Sequence, residues 1–300
     1  MEPGVLIVAG ATATGKSTLG LALAQRFDAE IVGADSRQVY RDMPIGTAAP
    51  TAFQRAQIPH HLIGFLYPHQ RYSAAQFTLD ALAAIDEIKN RGKRAIVVGG
   101  TGFYIRALCG DVALAAERDD ELRGRLGREI ALHPPEVLHG WLRSLNARRA
   151  SAIAQGDSYR VVRALEVALS RRYVRTASLP SLRSRGITFV KASLTVAAPV
   201  LQERIRERIE AMLRAGLLDE ASDVGTGAVA SSAVGYPQAL AYLAGFCTER
   251  ELRESLFRAT RRYAKRQQTW FRREPGMQWF DERNALDSLS DLARKKLEWA

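Results

Sequence analysis

Gly10-Ala11-Thr12-Ala13-Thr14-Gly15-Lys16-Ser17 decides the fold. The octet reads G-x-x-x-x-G-K-S. It stands between Val5-Leu6-Ile7-Val8-Ala9, an apolar run of strand character, and Ser17 to Phe27, a stretch of helical pattern. That is the context a phosphate-binding loop requires: the glycines permit a tight turn, the amides converge, and a helix N-terminus adds its dipole. On this reading all eight residues cradle a diphosphate or triphosphate. Lys16 neutralises the terminal phosphates and the Ser17 hydroxyl ligates Mg²⁺. The loop specifies phosphates, not the molecule that carries them.

Outward from the loop, Glu30-Ile31-Val32-Gly33-Ala34 reads as a second strand ending at Asp35. Ser73 with Gln76 has the form of a capping box, and Phe77, Leu82, Ile85 and Ile88 keep a helical period until Gly92. Arg94 to Val98 is a third apolar strand running into Gly99-Gly100-Thr101. Strands separated by helices imply a parallel sheet with both faces covered. After residue 111 the texture changes: 117–175 is rich in Arg and Leu with helical periods, and 176–186 reads as a loop. Phe189 to Thr195 then returns as a strand, and helices follow to the C-terminus. In the last long helix Thr248 and Glu251 form a second capping box. Leu252, Leu256, Ala259, Tyr263 and Trp270 make an apolar, core-type face opposite Arg258, Arg262 and Lys265. The expected fold is α/β: a P-loop NTPase-like parallel-sheet core flanked by helices (1–111 and 187–300), with an all-helical insertion at 112–186.

The chain has 300 residues, 47% hydrophobic and 25% charged, which excludes disorder as its main state. No apolar run approaches the roughly 18 residues of a membrane helix. MEPGVLIVAGA lacks a basic segment ahead of its short apolar run, so no signal peptide is expected. Cys109 and Cys247 fit neither a disulfide framework nor a zinc pattern, and a reducing cytosol is the expected compartment. The net charge is +11, and most of the excess lies after residue 110. Arg160 to Lys191 carries eight basic residues against Glu166 alone, and Phe257 to Arg273 carries seven against none. A polyanion, nucleic acid above all, is the expected partner.

Most chains with this loop use an acid on a second strand to hold Mg²⁺, and here Val98 is followed by Gly99-Gly100-Thr101 instead. That argues against ordinary ATP chemistry. Asp35 sits where open α/β sheets place ligands, and it reads equally as a general base or metal contact and as a turn cap. His60 and His61 follow Pro59 without metal-ligand spacing and read as structural.

Asp35-Ser36-Arg37-Gln38-Val39-Tyr40-Arg41-Asp42-Met43-Pro44-Ile45-Gly46-Thr47-Ala48 resembles the D-S-x-Q-V-Y-x-x-M-x-I-G-T-A signature of the tRNA dimethylallyltransferases, also called tRNA isopentenyltransferases. Pro59-His60-His61-Leu62, Tyr72-Ser73, Gly99 to Tyr104, Arg160 to Glu166, Val234-Gly235-Tyr236 and Thr260 to Gln267 resemble further blocks of that family, in order along nearly the whole chain. The resemblance implies prenyl transfer from dimethylallyl diphosphate to the exocyclic amine of the adenosine 3′ of the anticodon. On that reading the loop from Gly10 to Ser17 holds the prenyl diphosphate, with Mg²⁺ on Ser17 as cofactor, and Arg208 adds charge to the leaving group. Asp35 is then the general base, and Thr101 positions the flipped adenine. Asp35, Ser36, Arg37, Gln38 and Thr101, Arg123, and Tyr159-Arg160-Val161-Val162-Arg163 match positions that hold the anticodon stem-loop. One chain supplies every part, so a monomer is expected.

The sequence departs from the family at Ala11, where Pro is usual, at Ala49 and Pro237, where Lys is usual, and at Tyr159 in place of Gln. An aromatic ring at 159 can stack on a base rather than hydrogen-bond to it. Arg123, Arg160 and Arg163 also suit a solvated, salt-bridged helix surface. The competing enzymatic readings are an adenylate isopentenyltransferase acting on free nucleotide and a small-molecule kinase. A non-enzymatic alternative is an RNA-binding module with a structural nucleotide. The basic insertion and the basic C-terminal helix argue against the first, the missing acid after Val98 and the surplus positive charge against the second, and Asp35 and Thr101 together with an intact loop against the third.

Overall fold

The structure, a computed structural model, describes residues 3–112, 120–169 and 179–299. Arg171, Arg172 and Arg175 of the first basic stretch, and the first three residues of the loop expected at 176–186, lie outside the described residues. Six strands form one parallel sheet: β1 (Val5–Ala9), β2 (Ala29–Gly33), β3 (His60–His61), β4 (Arg94–Gly99), β5 (Phe189–Thr195) and β6 (Met277–Asp281). Their order across the sheet is β3-β2-β4-β1-β5-β6, and every pairing is parallel. β6 corrects the expectation of helices alone after β5. Only two of its five residues are even half-buried, so this edge strand lacks the apolar run that marks its neighbours.

The period of two along β1 builds both cores. Val5, Ile7 and Ala9 face a layer containing α4 (Ala74–Asn90) and α5 (Gly102–Cys109), whereas Leu6 and Val8 face α1 (Lys16–Arg26) and the C-terminal helix 285–297. Between β2 and α4 lie two short helices, α2 (Pro44–Thr47) and α3 (Ala52–Gln57). At α4 the Ser73 hydroxyl accepts from the Gln76 amide, but the Gln76 side chain bonds Asp80 instead of reaching back, so only half of the expected capping box forms. His61 lies 2.7 Å from the Glu30 carboxylate, which Arg91 also binds, and has the structural role read from its sequence.

Residues 113–179 form a compact unit distinct from 1–112 with 180–300. It consists of α6 (Asp120–Leu132), α7 (Pro135–Leu145), α8 (Ala147–Ser151) and α9 (Ser158–Leu169) around Leu126, Leu138, Leu142, Val161 and Leu165. The second boundary lies at 180 rather than 187. Leu182 is wholly buried in the sheet unit, and its amide bonds the Leu108 carbonyl. In the sheet unit α10 (Ala198–Arg214), α11 (Leu217–Val224), α12 (Tyr236–Leu243), α13 (Glu249–Arg272) and α14 (Ala285–Leu297) complete the chain. Thr248 and Glu251 cap α13 reciprocally, as their spacing predicts. Among the described residues no helix is long and apolar enough to cross a membrane.

Candidate active site

β1 runs into the loop at the C-terminal edge of the sheet, where α/β folds bind ligands. Gly15 adopts the left-handed conformation (φ 88°) and α1 starts without a side-chain cap, so its first amides are left for an anion. The Lys16 ammonium bonds the Ala11 carbonyl at 3.3 Å, and the Thr14 hydroxyl bonds the same carbonyl at 2.9 Å. The Ser17 hydroxyl is exposed at the first turn of α1. One loop member departs from the expected cradle. The Thr12 amide donates to Gln267 Oε1 at 2.8 Å and is not directed at a phosphate.

Two cations meet at this loop. Although part of the Lys16 side chain is exposed, its ammonium is enclosed by protein, and loss of hydration lowers its pKa to about 8. Asp35 opposes that fall, and the charge of Arg208 adds to it. Arg208, on α10, is likewise lowered by burial, with Asp35 and Tyr263 opposing. Among the described residues neither cation has a carboxylate within ion-pair distance, and Asp35 is the only carboxylate whose charge both feel. Enclosed cations without paired anions are unfavourable unless a ligand supplies the charge, so the arrangement suits a polyanion such as a diphosphate.

Asp35 follows β2, and its Oδ1 accepts the Arg37 amide at 2.9 Å, which leaves Oδ2 for other partners. Thr101 follows β4. Its hydroxyl accepts the Ser36 amide at 2.9 Å and lies 3.2 Å from the Ser36 hydroxyl, and its own amide bonds the Ala34 carbonyl. The ends of β2 and β4 are thus stitched together. The glycines around Thr101 permit close approach by α13. A Cβ on Gly100 would meet Gln267 Nε2 at 2.4 Å, and one on Gly102 would meet Trp270 Nε1 at 2.1 Å.

Gln38 donates to the Thr47 and Ala48 carbonyls, so its amide group shapes the loop around α2. Glu220 accepts the Ile45 and Gly46 amides and the Tyr236 hydroxyl, which ties the Ile45-Gly46-Thr47-Ala48 and Val234-Gly235-Tyr236 blocks into one support. Arg37 reaches the Ser232 hydroxyl at 3.1 Å.

The remaining sequence-predicted residues lie on the helical unit. Tyr159 is 71% exposed, with the Arg123 guanidinium 5.3 Å from its ring centre. Arg123 and Arg163 pair with the buried Glu166, and Arg160 pairs with Asp157 at 3.2 Å. Val161 and Val162 depart from the expected RNA contact: their side chains are buried in the helical core, where they anchor α9.

Sequence reasoning missed two residues of α13. Leu252, Leu256 and Ala259 are buried, as their period implies, but Tyr263 lies within reach of the Asp35 charge. Burial raises its pKa, and Asp35 raises it further. One turn on, Gln267 is a buried polar side chain. A glutamine four residues after a tyrosine on an otherwise apolar face was the available signal.

Residues 38–274 match the family model described as IPP transferase, and 3–58 match that described as isopentenyl transferase. The chain is 43% identical to a tRNA dimethylallyltransferase of Streptomyces avermitilis, over 99% of this chain and 96% of that one. It is 38% identical to one of Geobacter sulfurreducens, over 97% and 96%. The crystal structure of a tRNA isopentenylpyrophosphate transferase from Bacillus halodurans superposes with a TM-score of 0.71 at 34% identity, covering 99% of this chain and 97% of that one. A eukaryotic dimethylallyltransferase acting on tRNA gives a TM-score of 0.77 at 26% identity, covering 97% and 78%. With its full length matched and its phosphate loop, Asp35 and Thr101 gathered at one sheet edge, this chain belongs to the IPP transferase family, that of the tRNA dimethylallyltransferases.

Proposed function

We propose that this protein transfers a dimethylallyl group from dimethylallyl diphosphate to the N6 amine of the adenosine 3′-adjacent to the anticodon of tRNA. The observation that carries this reading is the pair Lys16 and Arg208, enclosed by protein without ion-pair partners among the described residues, with Asp35 the one carboxylate whose charge reaches both. In the reaction the N6–C1 bond forms, the C1–oxygen bond to diphosphate breaks, and the amine proton passes to Asp35 Oδ2. Thr101, oriented by Ser36, presents its hydroxyl to the acceptor adenine. Lys16, Arg208 and the free loop amides stabilise the departing diphosphate, where negative charge develops.

Mg²⁺ fits the oxygen donor at Ser17. Among the described residues no cluster of three His, Cys, Asp or Glu exists to hold a metal, and an ion that keeps waters and binds substrate phosphates needs none. Bound there, it would supply further charge to the diphosphate. The basic face of α13 (Arg258, Arg262, Lys265) and the exposed Tyr159 with Arg160 are the surfaces for RNA phosphate and base contact, in a cytoplasmic, monomeric enzyme.

The test is transfer of label from dimethylallyl diphosphate, with Mg²⁺, to an anticodon stem-loop carrying the target adenosine, with AMP in parallel. Label in the stem-loop alone is expected. Label in AMP alone, or hydrolysis of ATP without transfer, would overturn the reading.

A further inference from the structure

Gln267 is 6% exposed and uses both ends of its carboxamide. Oε1 accepts the Thr12 amide at 2.8 Å, and Nε2 donates to the Gly100 carbonyl at 3.0 Å. Only this orientation satisfies both partners, because one is a donor and the other an acceptor. The two loops it joins lie 255 and 167 positions away in sequence, and among the described residues no other side chain bonds to both. The first holds the phosphate-binding amides. The second carries Thr101 and passes beside Asp35, whose Oδ2 would lie 3.5 Å from a Cβ at Gly100. The Trp270 indole, packed against Gly102 one turn later on α13, presses on the same loop.

We propose that Gln267 is a positioning residue of the transfer reaction: it sets the distance between the loop that holds the prenyl diphosphate and the loop that presents the acceptor amine. It touches neither substrate. This rests on the function proposed above. It follows from elementary geometry: the transferred carbon must be held in line between a departing oxygen on one loop and an attacking nitrogen on the other, and in-line displacement tolerates little slack. A helix side chain rigidly bonded to both loops limits that slack. The Thr12 amide is the loop member given over to this tether.

Gln267→Met keeps the volume and removes both hydrogen bonds. Gln267→Glu keeps the acceptor for Thr12 but sets a carboxylate oxygen against the Gly100 carbonyl. In both variants kcat is expected to fall about 100-fold, the scale of a misplacement near 1 Å. KM for dimethylallyl diphosphate and for stem-loop should stay within about threefold, with thermal unfolding still cooperative. Gln267→Glu should also regain activity relative to wild type as pH is lowered, because a protonated carboxyl can again donate to Gly100, whereas Gln267→Met should not. A kcat within about threefold of wild type, or a loss that follows the folded fraction alone, overturns the inference. If wild type itself transfers no label, the functional reading has failed, and amide hydrogen exchange decides the tether separately. Gln267→Met should then expose both the Thr12 amide and the Thr101 amide, which is bonded to Ala34 and not to Gln267. Faster exchange at Thr12 alone overturns it.

Discussion

Two enclosed lysines of the sheet unit have opposite surroundings. Lys191, on β5, sits 2.8 Å from both Asp111 and Glu274, and Arg106 completes the cluster through Glu274. Burial works against its charge, but the hydrogen bonds it donates to the two carboxylates overcome that and raise its pKa. Lys16 is enclosed as well, yet it has only the more distant Asp35 to oppose desolvation, and its pKa falls to about 8. The first lysine is finished by the fold. The second, together with Arg208, is unfinished until an anion arrives, and this difference separates a structural ion cluster from a binding site within one domain.

The largest effect is expected at Asp35, the carboxylate both unpaired cations feel. Asp35→Ala should lower kcat by about 10²–10⁴-fold, the range for a general base, while stem-loop binding by filter retention stays nearly intact. Equal collapse of binding and turnover would remove Asp35 from that role. The two lysines should then diverge in stability. Lys191→Met leaves Asp111 to Arg183 and Glu274 to Arg106, removes one charge-assisted hydrogen bond from each, and should cost about 1–3 kcal/mol by denaturant titration, whereas Lys16→Met should leave stability unchanged or higher at pH 7. Matching losses would erase the contrast.

A third outcome concerns pH. The folded pKa of Lys16 lies below its unfolded value of 10.5, so its charge is costly below about 8, and a bound anion favours proton uptake. Affinity for inorganic pyrophosphate, followed by calorimetry, should therefore weaken as pH rises through about 8, and less so in Lys16→Arg. The smallest effect belongs to Arg160 of the helical unit, which is solvated and paired with Asp157. Arg160→Ala should weaken stem-loop binding by less than about 1 kcal/mol and lower the salt slope by about one. Pyrophosphate binding should not change.

Local chemistry was readable in advance. The phosphate loop, β1, the Thr248–Glu251 cap and the helical texture of the insertion each depend on neighbours a few residues away, and sequence presents those neighbours directly. β6 was not readable, because Met277–Asp281 is a half-exposed edge whose pairing to β5 supplies the order its own pattern lacks. Val161 and Val162 matched a motif whose residues alternate between surface and core. A motif block does not say which of its side chains reach a ligand, and burial does.

Residue order by itself determined that a strand, a glycine-bounded loop and a helix would follow one another, and that a lysine and a hydroxyl would stand at the helix start. Both follow from backbone preferences and spacing within eight positions. Only the tertiary structure decided which charges would be left without partners, and which loop amide would be withdrawn from the phosphate by a glutamine 255 residues away. The reason is that hydration and pairing belong to whatever surrounds a group in space. For Lys16, Arg208 and Gln267, that surrounding is assembled from segments the chain brings together only on folding.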